Sequence, residues 1–166
     1  MVMAVKDHTK AKDGFELQFG ANHLGYFLLT NLLVPKIIAA HRRFINVTSF
    51  GYMSGGVIFD DLSFKNGATY NPWLAYAEVE DGQYPLYAIV CIKVEIKAPT
   101  TPKLLAASDA TTIYGVFSPD LNDESGAFLV DAQIFLEPLL PHATGDSDAE
   151  RLWEISEKVV DEKFTL

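Results

Sequence analysis

The stretch DGFELQFGANHLGYFLLTNLL, residues 13–33, repeats its apolar residues at helical spacing and decides how the rest is read. Phe15, Phe19, Tyr26 and Leu29 fall on one side, and Leu17, Leu24, Leu28 and Leu32 on another. Two apolar faces predict a largely buried helix from Gly14 to about Ile38. Just downstream, RFINV (43–47) is a short run suited to a buried strand, and it ends at the small polar pair Thr48 and Ser49. A helix feeding a short apolar strand is the first unit of an α/β layer.

Farther along, Ile92, Val94 and Ile96 alternate with Lys93, Glu95 and Lys97, predicting a strand with one wet face. LLAASDATTIYGVF (104–117) has helical spacing, and GAFLVDAQIF (126–135) is strand-like at its start. SDAE (147–150) has the form of a capping box. It precedes an apolar stripe of Leu152, Trp153, Ile155, Val159, Val160 and Phe164, the mark of a last helix. Helices alternating with short apolar strands predict an α/β fold on a mostly parallel sheet.

Composition narrows the function. The chain has 166 residues, 49% of them hydrophobic, which suits one domain with a real core. Asp and Glu outnumber Lys and Arg by 22 to 13 for a net charge of −9. With no basic stripe to neutralise phosphates, nucleic acid and anionic membrane are poor partners. No run reaches the roughly 18 apolar residues of a membrane span. MVMAVKDHTKAKDG (1–14) lacks the long apolar core of a signal peptide. A reducing, cytoplasmic setting is expected, because Cys91 is alone and reads as a small buried thiol.

The quoted helix, RFINVTSFGY (43–52) and FDDLSF (59–64) followed by WLAY (73–76) resemble the short-chain dehydrogenase/reductase family, most closely its retinol-dehydrogenase-like and fungal members. SPDLNDESGAFLVDA (118–132) and DAERLWEISEKVV (148–160) resemble the tail of the fungal proteins. The resemblance covers about two thirds of the chain. It implies the C-terminal half of a Rossmann-type parallel sheet with flanking helices, as a single incomplete domain over residues 1–166. It also implies hydride transfer between NAD(P)(H) and an alcohol or ketone.

Residue by residue, the resemblance places the family's active-site asparagine on Asn22, its serine on Ser49 and its tyrosine on Tyr76. In the family the serine positions the carbonyl, the tyrosine exchanges the proton and the asparagine supports a water relay. The family's lysine, four residues after the tyrosine, lowers the tyrosine pKa and holds the cofactor ribose. Here that position is Glu80. A carboxylate pushes a nearby tyrosine upward, the opposite of what a base at neutral pH requires. No Gly-x-Gly-x-x-Gly pattern occurs in the sequence, so NAD(P) rests on the resemblance alone, with no bound cofactor as the alternative.

The expectation is a truncated, divergent family member without independent dehydrogenase activity, serving a binding or oligomerisation role. Two alternatives stand beside it. One is an NAD(P)-dependent oxidoreductase for a lipophilic alcohol or ketone; the other is a non-redox acid/base enzyme using Tyr76 and Glu80. In the family's strand order the strand at 44–48 would be left at an edge. A second copy or a partner chain is expected to cover it, and a small lipophilic ligand fits the same picture.

Other polar residues read more simply. Asn22 can also be a polar group satisfied inside the helix, and His23 reads as a core or interface histidine. His8, His41 and His142 have no metal spacing, so no metal site is expected. Asp60 and Asp61 suggest a turn or helix cap. Glu78, Glu80 and Asp81 read as a solvated acidic loop, since Gly82 and Pro85 should break any helix through them.

Overall fold

The computed structural model describes residues 2–86, 91–96 and 109–165, and the side chains among them outside 82–86 and 91–96. The first helix begins at Leu17, runs as a π-helix over Phe19–Leu24 and continues as α1, Gly25–Ala39. Then come β1 (Phe44–Ser49), a 3₁₀ turn (Phe50–Ser54), α2 (Pro72–Leu86) and β2 (Cys91–Ile96). The remainder is α3 (Ala110–Phe117), β3 (Phe128–Val130), β4 (Gln133–Ile134) and α4 (Asp146–Val160).

The sheet has the order β1-β2-β3-β4, with β1, β2 and β3 parallel and β4 antiparallel to β3. Parallel neighbours need a crossover, and α2 and α3 occupy those positions in the chain. The β3–β4 reversal needs two residues at positive φ; Asp131 (51°) and Ala132 (60°) supply them. Among the described strands β1 pairs only with β2, so it forms an edge. This is the C-terminal half of a Rossmann-type arrangement.

Three apolar clusters hold the layers. Phe19, Leu24, Phe27, Val79 and Leu152 join the π-helix, α1, α2 and α4, with Trp153 and Phe164 edge-on to Phe27. Tyr52, Phe128, Val130 and Ala143 form a second cluster, and Leu121 and Leu129 centre a third.

Several expectations need correction. α1 is not largely buried: Tyr26, Leu29, Leu32, Leu33 and Ile38 are exposed, while Phe27, Thr30, Asn31 and Val34 face inward. The side carrying Tyr26, Leu29, Leu32, Leu33 and Ile38 is left exposed among the described residues, whereas Leu24 is buried and Leu17 and Leu28 are half-buried. The chain does not break at Gly82 or Pro85. A helical glycine costs only about 1 kcal/mol, and Pro85, one residue before the helix ends at Leu86, forfeits a single i→i−4 bond. The acidic segment before them is therefore helix, and Glu78, Glu80 and Asp81 are all buried. Ser147 does not cap α4, which starts one residue earlier at Asp146 after Gly145. Asp146 and Asp148 in the first turn suit the positive end of the helix dipole instead. The one-wet-face reading of β2, the thiol of Cys91 and the helical spacing at 104–108 lie outside the described residues or side chains.

Candidate functional site

Ser49 is the last residue of β1, in extended conformation, and its Oγ accepts from the N–H of Gly51 at 2.9 Å. That bond turns the chain sharply into the 3₁₀ turn, against which α2 packs. The turn needs a glycine at 51. A Cβ there would lie 2.8 Å from Cε1 and 3.0 Å from Cδ1 of Tyr76, and 3.0 Å from Ser49 Oγ. The tyrosine ring thus lies directly on the backbone that leaves β1.

Glu80 follows Tyr76 by one helical turn and so shares its face of α2. It is fully buried. Its Oε2 accepts from Thr48 Oγ1 at 2.8 Å and from the N–H of Ser49 at 2.9 Å. Ser49, Tyr76 and Glu80 are therefore brought together where β1 ends, the side of a parallel sheet on which α/β proteins place their sites.

The electrostatics oppose base chemistry. Burial foremost pushes the Tyr76 hydroxyl up to about 12; the Ser49 hydroxyl counteracts this, and the charge of Glu80 adds to it. Burial also raises Glu80, against the stabilising bonds from Thr48, Tyr76 and Ser49. At neutral pH Tyr76 is a proton-bearing donor.

The family's nicotinamide cofactor does not fit these residues. The group that would hold its ribose and lower the tyrosine is a sealed carboxyl already engaged with β1.

Asn22 is placed differently. It lies fully buried in the π-helix, a geometry that recurs at functional sites. Its Oδ1 accepts from the N–H of Val2 at 2.7 Å and its Nδ2 donates to the Val2 carbonyl, so the carboxamide pairs with the N-terminal segment as a strand would. Gln18, also fully buried, continues the clamp. It accepts from the N–H of Ala4 at 2.7 Å and donates to Tyr70 Oη and the Pro72 carbonyl.

His23 is a core histidine, buried between the rings of Phe19 and Phe27 and 2.7 Å from Ser156 Oγ. Ser156 gives its one proton to the Leu152 carbonyl, so His23 Nε2 must carry the proton it donates to the serine. Burial lowers its pKa to about 4.

Two further acids on α2 are engaged. Glu78 accepts from the N–H of Ile58 at 2.9 Å, and burial, with Glu16, Asp61 and Asp81 nearby, pushes it up to about 8. Asp81 lies 3.5 Å from His142 Nε2, which is 3.1 Å from the Tyr52 carbonyl. His142 is thus a bridge to the turn after β1. Asp61 does cap a turn, accepting from the N–H of Lys65 and from Ser63. Among the described residues no three of His, Cys, Asp or Glu are grouped to hold a metal ion. No helix described is long and apolar enough to cross a membrane.

Gly51 and Gln18 are the residues that sequence reasoning missed. A glycine two residues past the strand's serine was a usable signal for the first; a buried glutamine on an apolar helix leaves none.

No family model matches the chain. It is 31% identical to retinol dehydrogenase 14 of Mus musculus over 187 aligned positions, covering 92% of this chain and 55% of that protein. Retinol dehydrogenase 13 of Homo sapiens is 49% identical over 72 positions, 43% of this chain and 22% of the relative. The short-chain dehydrogenase/reductase prx1 of Penicillium rubens is 26% identical across 96% of this chain and 60% of its own length. This chain therefore spans little more than half the length of the relatives that it matches end to end. Among solved structures, an uncharacterised protein from Mycobacterium paratuberculosis superposes with a TM-score of 0.71 at 24% identity, covering 99% of this chain and 66% of that one. That likeness speaks for the fold, and the relatives speak for the lineage. The half-Rossmann sheet agrees with both: the chain belongs to the short-chain dehydrogenase/reductase family.

Proposed function

We propose that this protein has no independent dehydrogenase activity and serves a binding or oligomerisation role, with the Ser49–Tyr76–Glu80 cluster acting as the fastener between α2 and the end of β1. The observation that carries this reading is the carboxyl of Glu80, fully buried in the position of the family's lysine and bonded to Thr48 and Ser49. A side chain so engaged supplies no cation to Tyr76, whose hydroxyl stays protonated at neutral pH. The edge of β1 and the exposed apolar face of α1 support the oligomerisation part.

The test is a titration of the purified chain with NADH and NADPH, followed by the emission of Trp73 and Trp153. No saturable change up to millimolar cofactor is the expected result. Saturable micromolar binding would overturn it in favour of an NAD(P)-dependent oxidoreductase for a lipophilic alcohol or ketone. A non-redox acid/base role for Tyr76 and Glu80 is disfavoured by their burial, at 3% and 0% exposure, which leaves no route for a substrate proton. A dehydratase or isomerase activity abolished by Glu80→Gln would reinstate it.

A further inference from the structure

We infer that Ser147 is a phosphorylation site for an acid-directed serine kinase, and that its phosphate takes Arg151 from Asp60 and so uncouples α4 from the loop at 59–66. The site lies at the start of α4, apart from the Ser49 cluster, and does not rest on the function proposed above.

SDAE (147–150) has the form of a capping box and does not act as one, because the helix begins at Asp146 after Gly145. Ser147 is also the one serine or threonine of the sequence with an acid three residues on, Glu150, and Asp146 and Asp148 flank it directly. Kinases select substrates by charge pattern, and a basic substrate cleft is the complement of an acceptor with acids on both sides. Ser147, Asp146 and Glu150 are all exposed. A first turn with no side-chain cap is the part of a helix that opens at least cost, so the acceptor is readily presented. In the transfer, the γ-phosphorus of a nucleoside triphosphate bonds to Ser147 Oγ and its bond to the bridging oxygen breaks. The nucleoside diphosphate leaves, and the hydroxyl proton passes to the base of the kinase.

The helix decides what the phosphate meets. Arg151 follows Ser147 by four residues, one turn on along the same face, and is the one Lys or Arg of the sequence between Lys103 and Lys158. In the unmodified chain it reaches the loop instead: its Nη2 donates to Asp60 Oδ1 at 2.9 Å, and its Cζ lies 4.5 Å from the centre of the Phe59 ring. That pair stands in water, with side chains 51% and 93% exposed, and exposed pairs hold weakly. A serine phosphate carries a charge of about −1.5 to −2 and three acceptor oxygens, against the single charge of Asp60. Its bonds to a guanidinium are of the strong, charge-assisted kind. Arg151 therefore turns back along α4, and the loop loses its ion pair to that helix.

The whole chain is incubated with an acid-directed serine kinase and magnesium ATP, and intact mass, fragment mapping and phosphorus NMR are followed. One phosphoryl group at Ser147 is expected. Ser147→Ala should abolish it, and Glu150→Gln, a surface change, should slow it about tenfold. The phosphate should titrate at lower pH in the parent than in phosphorylated Arg151→Gln, because the guanidinium favours the dianion. Amides of residues 59–66 should exchange about two- to fivefold faster after phosphorylation, as the loss of one exposed ion pair predicts. Five outcomes would each overturn the proposal. They are no incorporation while an acidic control peptide is turned over, incorporation that survives Ser147→Ala, a rate indifferent to Glu150, equal phosphate titration with and without Arg151, and unchanged exchange at 59–66.

Discussion

Glu80 Oε2 accepts the main-chain N–H of Ser49 at 2.9 Å, so a side chain from the middle of α2 completes the hydrogen bonding of the last residue of β1. The same oxygen takes the Thr48 hydroxyl. Glu80→Leu removes the acceptor from three buried or half-buried donors, Thr48, Ser49 and Tyr76, and should cost roughly 2–4 kcal/mol or more. Glu80→Gln keeps a carbonyl oxygen there and should cost distinctly less. Glu80→Lys confronts the Ser49 N–H with another donor, so it should destabilise about as much as leucine and should not create dehydrogenase activity. Urea unfolding of the three variants, with an NAD(P)H turnover assay on the lysine variant, checks the order.

Gly51 touches Tyr76 so closely that its missing side chain is part of the packing. Gly51→Ala puts a methyl 2.8 Å from Cε1 of a ring that is itself buried, and the ring has no open side to move into. A loss of about 1–3 kcal/mol is expected from such overpacking. Tyr76→Leu should absorb much of it, so the double variant should be more stable than the sum of the single losses predicts. A double-mutant cycle by urea unfolding reads that coupling.

These two contacts also mark where sequence reasoning stops. The helical spacing around Phe19 and Phe27, the strand ending at Thr48 and the stripe of Leu152 and Trp153 were legible because burial imposes its period directly on the chain. Glu78, Glu80 and Asp81 were not. Three acids before a glycine and a proline have the composition of a solvated loop, and only the packing of α2 on the turn after β1 makes them interior. Glu78 and Glu80 then accept from segments distant in sequence, at Ile58 and Ser49, and Asp81 lies 3.5 Å from His142 Nε2. The exposed face of α1 failed for the converse reason, since apolar spacing records which residues favour burial and says nothing of what covers them.

Glu78 makes stability depend on pH in the alkaline direction. Its folded pKa of about 8 lies above its ordinary 4.5, so between those values the folded protein holds a proton that the unfolded chain has released. Its contribution is full below pH 4.5 and is lost as pH rises toward 8. Glu78→Gln keeps the acceptor for the Ile58 N–H and removes the titration. The variant should gain on the parent as pH rises from 5 to 8, by up to a few kcal/mol. Denaturant midpoints measured across that interval should converge at the acid end.

His23 acts with the opposite sign. Its folded pKa of about 4 lies below its ordinary 6.5, so as pH falls below 6.5 the unfolded chain takes up a proton that the folded protein refuses. Its contribution is full above 6.5 and is lost as pH falls toward 4, where the folded state protonates as well. His23→Phe retains a ring between Phe19 and Phe27 and gives up the bond to Ser156, whose own proton stays on the Leu152 carbonyl. The variant should be less stable than the parent at pH 7 by about 1 kcal/mol and should close or reverse that gap by pH 4.5. Denaturant unfolding at the two pH values checks the reversal. Following the His23 ring by NMR checks its cause, since a folded-state titration midpoint near 6.5 would remove the burial penalty from which the prediction derives.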